Sequence, residues 1–458
     1  MNKKKSKFIF VCIILLILLA ILWMYESKII SNEKLLKKMY GEPIAEDGTI
    51  NNAYFGIEID GNDAKKTLAG INKAIEYASK NNIENIKLEK GTYIIDSQKD
   101  QKEYHYQEKG ITLKSNIKLD LNGSTIKHLE NNRNSYSLIS IIAVNNVSIT
   151  NGILEGDRIN HNYNNGSNNQ FGHGIDLAGG QNIDISNLEI KDMIGDGIYI
   201  TNKQVNMKYY NSENVKIQSC DIHDCRRQGI SVIVADGIEI YNNEIHNIKG
   251  TNPQSCIDLE TGGKESKIEH VKIYNNKLYS SKTNIALQIS KNVYEILIYN
   301  NEINGSIKTY NAENEINIYK NTINNGGIIG ILSKSNIEDE KYYVKKIRVE
   351  YNILKNSYIS LGRLNNSIIG NNEIESGYIS VENMNSAIYN NKIINSENNA
   401  KDYGICCRVN DDNSNIYKMF IKGNNISGNF KELERIENNE RLQCVNDEEQ
   451  LQDYLNNF

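Results

Sequence analysis

Proline is almost absent from this chain, at 2 of 458 residues. So few prolines leave nearly every backbone N–H free to donate, which long ladders of paired strands require. An excess of positive charge is also missing. Lys and Arg number 52 against 57 Asp and Glu, the formal net charge is -5, and no basic stripe marks a nucleic-acid surface. The 7 cysteines match no metal-finger spacing. Cys12 lies in an apolar N-terminal run, Cys220 and Cys256 fall at inward-alternating positions, and Cys406 and Cys407 are neighbours that do not easily bridge, so buried free thiols are expected. Apolar residues at three-and-four spacing are absent from the repeats described next, which excludes a helical solenoid.

What is present is a recurring phrase. It reads Ile240-Tyr241-Asn242-Asn243-Glu244-Ile245, Ile273-Tyr274-Asn275-Asn276-Lys277-Leu278, Ile298-Tyr299-Asn300-Asn301-Glu302-Ile303 and Ile388-Tyr389-Asn390-Asn391-Lys392-Ile393, with looser copies around Asn321, Asn352, Asn372 and Asn424. The second asparagines are spaced by 33, 25, 20, 31, 20, 19 and 33 residues, a range that signals stacked units rather than one globular core. Short alternating runs such as Val271-Lys272-Ile273 and Ile183-Asp184-Ile185 are strands. With Asn and Gly at the turns and abundant Ile and Tyr, the pattern predicts an all-β, single-stranded right-handed parallel β-helix with coils about 4.8 Å apart. The recurring asparagine is expected to form an internal amide ladder, the alternative being a surface turn. Leu188 and Cys220 occupy that position in two earlier rungs.

Around the coil, residues 1–7 read as a basic cytoplasmic tail and residues 8–25 as an uncharged membrane-spanning signal anchor without a cleavage site, which places the remainder outside a cell membrane. Residues 26–55 read as a polar stalk. Leu68, Ile71, Ile75 and Ala78 fall at helical spacing behind an Asn62 or Asp63 N-cap, and this helix is expected to cap the β-helix of residues 56–430. Residues 431–458 are expected to form a charged helical tail or C-terminal cap.

Residues 152–263 differ from the later repeats. Gly172-His173-Gly174-Ile175-Asp176-Leu177-Ala178, Gly195-Asp196-Gly197-Ile198-Tyr199-Ile200-Thr201, Arg227-Gln228-Gly229-Ile230-Ser231-Val232-Ile233 and Gln254-Ser255-Cys256-Ile257-Asp258-Leu259-Glu260 align at intervals of 23, 32 and 27 residues. Alternation puts Asp176, Tyr199, Ser231 and Asp258 in one outward column and Ala178, Thr201, Ile233 and Glu260 in the next. His173, Asp196, Gln228 and Ser255 form a third column. Asp176, Asp196, Asp258 and Glu260 are the candidate catalytic carboxylates. Asp157, Arg158, His173, Tyr199, Arg226 and Arg227 are candidate substrate-binding residues. Structural roles compete, with Asp196 as a turn cap and Arg226 or Arg227 as ion-pair partners of Asp224 or Asp196. The strip spans roughly 14 Å, the length of a few sugars, and paired carboxylates can serve as acid and base on a glycan.

Gly156-Asp157-Arg158, Gly172-His173-Gly174-Ile175, Gly195-Asp196-Gly197-Ile198, Arg226-Arg227-Gln228-Gly229-Ile230-Ser231 and Gly250-Thr251-Asn252-Pro253-Gln254 resemble a bacterial and phage-tail subgroup of the pectin-lyase-like β-helix superfamily. The resemblance covers most of residues 50–430. It implies polysaccharide as the partner and hydrolysis, elimination or C5-epimerisation as the activity. The order of the Gly-His-Gly and Gly-Asp-Gly elements departs from polygalacturonases, and the Asp-Pro-His element of alginate epimerases is missing. Hydrolysis would use Asp258 or Glu260 with Asp196 or Asp176 and no cofactor. Elimination would use Arg227 or His173 as base, with Ca²⁺ held by Asp176 and Asp196. A non-catalytic glycan-binding surface protein is the competing class. Oligomeric state is left open.

Overall fold

The computed structural model describes residue 18 and residues 31–61, 63–98, 108–163, 169–263, 266–281, 283–310, 315–331, 346–362, 366–396, 401–409, 416–437, 441–445 and 447–458. The expected tail at 1–7 and, except for Leu18, the expected anchor at 8–25 lie outside the described residues. Among the described residues no helix is long and apolar enough to cross a membrane.

Among the described residues one parallel sheet of 35 strands winds through the molecule, and the two strands Lys203–Val205 and Lys208–Tyr210 form a separate antiparallel hairpin. A coil holds three strands on three faces. Ser212–Gln218, Asp221–His223 and Ile230–Val232, for example, pair in parallel with Ala235–Tyr241, Glu244–His246 and Ile257–Leu259 one coil later. Inward positions form continuous rows. Ile185, Ile217, Ile240, Ile273, Ile298 and Ile318 stand in register, and each is fully buried. Branched side chains fill such a row because the pleat spaces them to interlock with the rungs above and below.

Each residue of the recurring phrase has its own task. The isoleucine points into the core. The tyrosine points out and stacks, with Tyr241, Tyr274, Tyr299 and Tyr319 ring centroids 4.9, 4.9 and 5.0 Å apart. The first asparagine takes the left-handed conformation of the turn, with φ of 56°, 55°, 55° and 51° at Asn242, Asn275, Asn300 and Asn390, a conformation asparagine tolerates. The second asparagine forms the ladder. Nδ2 of Asn243 donates to Oδ1 of Asn276 at 3.0 Å, and the pattern continues through Asn301, Asn321, Asn352, Asn372 and Asn391 to Asn424. Each amide also donates to a backbone carbonyl one coil back, such as Asn321 to Ile298 at 2.9 Å. The recurring second asparagine therefore forms the ladder and not a surface turn, and the turn falls to the asparagine before it.

Helix α1 (Ala64–Lys80) begins at Asp63, whose carboxylate accepts the Lys66 N–H at 2.9 Å; Asn62, the alternative cap, lies outside the described residues. Leu68, Ile71, Ile75 and Ala78 of α1 join the coil's core. Part of the segment assigned to the stalk is folded against the coil. Residues 31–40 are helical, Ile44 and Ile50 form an antiparallel bridge, and buried Ile50 donates its N–H to Lys87 at 2.9 Å. The coil also runs beyond residue 430, because Phe430–Ile436 and Leu442–Val445 pair with the preceding rungs. Helix α2 (Glu448–Asn456) then lies along the side of the stack, where Leu451, Tyr454 and Leu455 meet Ile368, Ala387 and Phe420.

Candidate functional site

Four strands carry the strip: β1 (Phe171–Ala178), β2 (Ile198–Thr201), β3 (Ile230–Val232) and β4 (Ile257–Leu259). Their register sets Asp176 beside Tyr199, Tyr199 beside Ser231 and Ser231 beside Asp258. The column read from alternation is present. His173, Asp196, Gln228 and Ser255 also follow one another, through Gly174 N–H to Asp196 O, Gly197 N–H to Gln228 O and Gly229 N–H to Ser255 O. The glycines flanking Asp196 reflect close approach of coils. A Cβ on Gly195 would lie 2.5 Å from the Gln170 carbonyl oxygen, and one on Gly197 would lie 2.7 Å from that of Gly229.

Facing outward does not expose these side chains. Asp176 is 2% exposed, and Asp196, Ser231 and Asp258 are 0% exposed. Strands under 5 Å apart let each outward residue be covered by the rungs on either side, so only the long or terminal side chains reach solvent. Glu260, Tyr199 and Arg227 are half-buried.

Arg227 is the centre of the charge arrangement. Its Nη1 donates to Asp196 Oδ2 at 3.0 Å and Oδ1 at 3.3 Å. Burial disfavours the guanidinium charge, yet Asp196, Asp258 and Glu260 together hold its pKa above the ordinary value. Burial raises Asp196 to about 7 against the pull of Arg227. Burial, then the neighbouring charge of Glu260, raises Asp258 to about 7. Two amides brace the Asp258 carboxylate, with Gln228 Nε2 donating to Oδ2 at 2.5 Å and Gln288 Nε2 to Oδ1 at 3.2 Å. Gln228 is itself fixed as acceptor of the Ser255 N–H at 3.1 Å and its hydroxyl at 2.5 Å.

The other end of the strip is different. Asp176 is raised to about 7 by burial, against the pull of Lys203 and Lys109, and its Oδ2 is buried with no hydrogen-bond partner. The Ser231 hydroxyl is buried and unpartnered as well. Between them Tyr199 stacks on His173 at 4.8 Å and 5°, and burial followed by the charges of Asp176 and Asp196 pushes the phenol up to about 12. His173 Nδ1 accepts the Asp196 N–H at 3.1 Å, so the neutral ring carries its proton on Nε2. Burial, then Arg227, drives its pKa down to about 3.

Three expected binding residues are engaged elsewhere. Asp157 is buried and accepts from the Tyr136 hydroxyl, from Asn131 Nδ2 at 2.7 Å and from the Asn131 N–H at 3.1 Å, and it pairs with His161 Nδ1 at 2.7 Å. Arg158 donates to the carbonyl oxygens of Asp224 and, at 2.8 Å, Lys249, stapling two turns. Arg226 lies 4.8 Å over the Tyr163 ring and donates to the Asn169 carbonyl at 3.2 Å. The structure thus gathers Asp196, Arg227, Asp258 and Glu260, extends them through His173, Tyr199 and Asp176, and leaves Asp157, Arg158 and Arg226 in the connections beside them. Gln288 escaped the sequence reading, although Leu287-Gln288-Ile289 repeats the Ile257-Asp258-Leu259 alternation one coil on.

A coil of this kind with a polar strip on one face defines the class by its fold, a parallel β-helix. No family model matches the chain. It is 30% identical over 225 residues to the SPbeta prophage-derived uncharacterized protein YorA of Bacillus subtilis, covering 46% of this chain and 38% of YorA. It is 28% identical over 224 residues to the uncharacterized protein YclG of the same organism, covering 47% of this chain and 38% of YclG. The matched region thus spans well under half the length of these relatives. Among solved structures, the chain is similar to the A-module of mannuronan C-5 epimerase AlgE4 of Azotobacter vinelandii, with a TM-score of 0.54, 16% identity and coverage of 83% and 96% of the two chains. A mutant tailspike protein of E. coli bacteriophage HK620 in complex with a pentasaccharide has a TM-score of 0.56, 12% identity and coverage of 81% and 74%. PfbA, a surface adhesin of Streptococcus pneumoniae, has a TM-score of 0.56, 15% identity and coverage of 74% and 89%. At these identities the likeness is one of fold.

Proposed function

We propose that this chain acts on a polysaccharide lying along the stack and that it is a glycoside hydrolase with Asp258 and Glu260 as its carboxylate pair. The observation that carries the reading is the unlike environment of the two. Asp258 is buried, braced by two amides and held protonated up to about pH 7 by burial and by Glu260, whereas Glu260 lies two residues on at the half-exposed edge. Such a split assigns Asp258 as the acid that protonates the glycosidic oxygen and Glu260 as the carboxylate that meets water or the sugar carbon. Arg227 faces both and binds substrate, while Asp196 positions Arg227.

Elimination has less support. The bases it would use are unsuited, since Arg227 is ion-paired and held protonated, and His173 is neutral with Nδ1 already accepting. Asp176 and Asp196 are the two ligands available for calcium, and among the described residues no group of three or more His, Cys, Asp or Glu side chains is placed to hold a metal. The burial of Asp176, Asp196 and Asp258 favours, as a second reading, a glycan-binding protein without turnover.

The test is incubation of the full chain with a panel of bacterial surface polysaccharides, scored for new reducing ends and for absorbance of unsaturated sugars. Reducing ends without unsaturation, lost in Asp258→Asn while retention on the polymer persists, are expected. Unsaturated products would replace hydrolysis by elimination, and retention with no shortening would leave the binding reading. We further infer that residues 8–25 anchor the chain in the cell membrane with the coil outside, and that α1 closes the coil's first end. Recovery of the full chain in the soluble fraction would overturn the anchor.

A further inference from the structure

The helix of residues 31–40 is fixed to the first end of the coil. Asn51 Nδ2 donates to the carbonyl oxygens of Tyr40 at 2.8 Å and Glu42 at 3.0 Å, and Gly41, in the left-handed conformation, ends the helix by donating its N–H to Lys37 O at 2.9 Å. Thr49 and Ile50 then join Lys87, whose strand Asn85–Lys87 pairs on its other side with Lys118, Leu119 and Asp120 of the next rung. The segment therefore extends the sheet at its first edge.

One side of the helix is taken up by this attachment and the other is not. Leu36 and Lys37 are half-buried, and Lys37 pairs with Glu42 at 3.1 Å and Glu33 at 3.8 Å. On the opposite side Leu35 and Met39 stand one turn apart at 56% and 61% exposed, with Lys34 and Lys38 one turn apart beside them, also exposed. Glu33 and Glu42 go to Lys37 and not to these two lysines. Fourteen large apolar side chains are exposed among the described residues, and three of them, Leu35, Met39 and Tyr40, lie in this one helix. An apolar stripe edged by lysines suits a lipid surface, where apolar side chains enter the headgroup layer and ammonium groups meet anionic lipids. The preceding chain brings such a surface within reach. The apolar run read as an anchor ends at Tyr25, and the five residues from Glu26 to Ile30 span no more than about 20 Å even when fully extended. A second copy of the chain fits this face less well, because the face carries two cations and no acid, and a two-fold contact would set lysines against lysines.

We propose that Lys34, Leu35, Lys38 and Met39 rest on an anionic lipid surface and hold the first end of the coil toward the membrane. The proposal rests on the anchor reading of residues 8–25 for the nearness of a bilayer, and on the helix itself for the contact. Thr112, Ser140, Asp176, Tyr199, Ser231 and Asp258 follow one another in register, so Asp258 lies five coil steps from the Thr112 rung, roughly 24 Å along the axis. The candidate site is thereby carried at a set height over the lipid rather than at the end of a loose stalk.

The test places the full chain in vesicles of phosphatidylcholine, with and without phosphatidylglycerol, whose acyl chains carry bromine near the headgroup to quench tryptophan. Trp23, the one tryptophan of the chain, reports the anchor, and Met39→Trp in a Trp23→Phe background reports the helix. Both signals are expected to be quenched, the second losing about half its emission with phosphatidylglycerol present and regaining most of it in Lys34→Gln/Lys38→Gln. Quenching of Trp23 without quenching of Met39→Trp overturns the contact and leaves the anchor standing. The reverse pattern keeps the contact and overturns the anchor, and no quenching of either overturns both. A Met39→Trp signal quenched equally without phosphatidylglycerol overturns the anionic surface, and one that follows protein concentration instead of lipid gives the face to a second copy.

Discussion

The rungs before Asn276 and those after it share one coil geometry and differ in what that geometry holds. After Asn276 the special positions repeat a chemically complete unit, in which each ladder amide donates to the next amide and to the backbone, and tyrosines stack on tyrosines. Before it, another face of the coil holds His173, Asp196, Asp176, Ser231 and Asp258, buried and titratable or left with an idle hydrogen-bonding atom, while the ladder position is filled by Leu188 and Cys220. Regular rungs convert repetition into satisfied bonds. Irregular rungs keep charge and unmet polar atoms in place, which a scaffold has no need to do.

Substitutions can break this contrast from either side. The largest expected effect is on turnover in Asp258→Asn, a fall of about 10³-fold in kcat with little change in melting temperature, measured by reducing-end release. An equal loss from a ladder variant such as Asn321→Ala would erase the distinction. Next is Arg227→Gln, which strands Asp196 in the interior and should cost about 3 kcal/mol of unfolding free energy in denaturant titrations near pH 8.

Asp176 sharpens the contrast through pH. Its folded pKa of about 7 lies above the unfolded value, so the stability it contributes is whole below about pH 4 and is lost as pH rises through about 7. Asn cannot ionise. Asp176→Asn should therefore match the unaltered chain at pH 4 and exceed it by about 4 kcal/mol at pH 8, and a difference that does not vary with pH would remove Asp176 from the group of strained acids. The smallest effect is expected from the ladder. Asn321→Ala removes donors to Ile298, Tyr319 and Asn352 and the acceptor for Asn301, and should cost about 2 kcal/mol without altering turnover.

Much of this was legible because a coil with a short repeat makes sequence offset and spatial offset nearly the same thing. Asp176, Tyr199, Ser231 and Asp258 could be stacked on paper since each is preceded by an inward aliphatic and each coil restarts the alternation. The double asparagine was legible as a marker but not in its division of labour, because backbone φ and side-chain amide serve different turns of the same bend. Residue identity alone could not separate Arg226 from Arg227. They are adjacent in the chain, yet one turns to Tyr163 and the other to Asp196. Asp157 read as a substrate binder and is instead closed off by Tyr136, Asn131 and His161, which reach it from up to 26 residues away.

The sequence by itself determined the coil, its inward rows, its asparagine ladder and the strand positions of the acids, because these follow from periodicity and the two-residue alternation of a strand. Only the tertiary structure decided that the outward acids are buried, which arginine they face, and that Asp258 has Gln228 and Gln288 for supports. Burial and charge pairing depend on neighbours one coil above and below, some 20 to 36 residues away in sequence, and their side-chain directions are set by packing rather than by period.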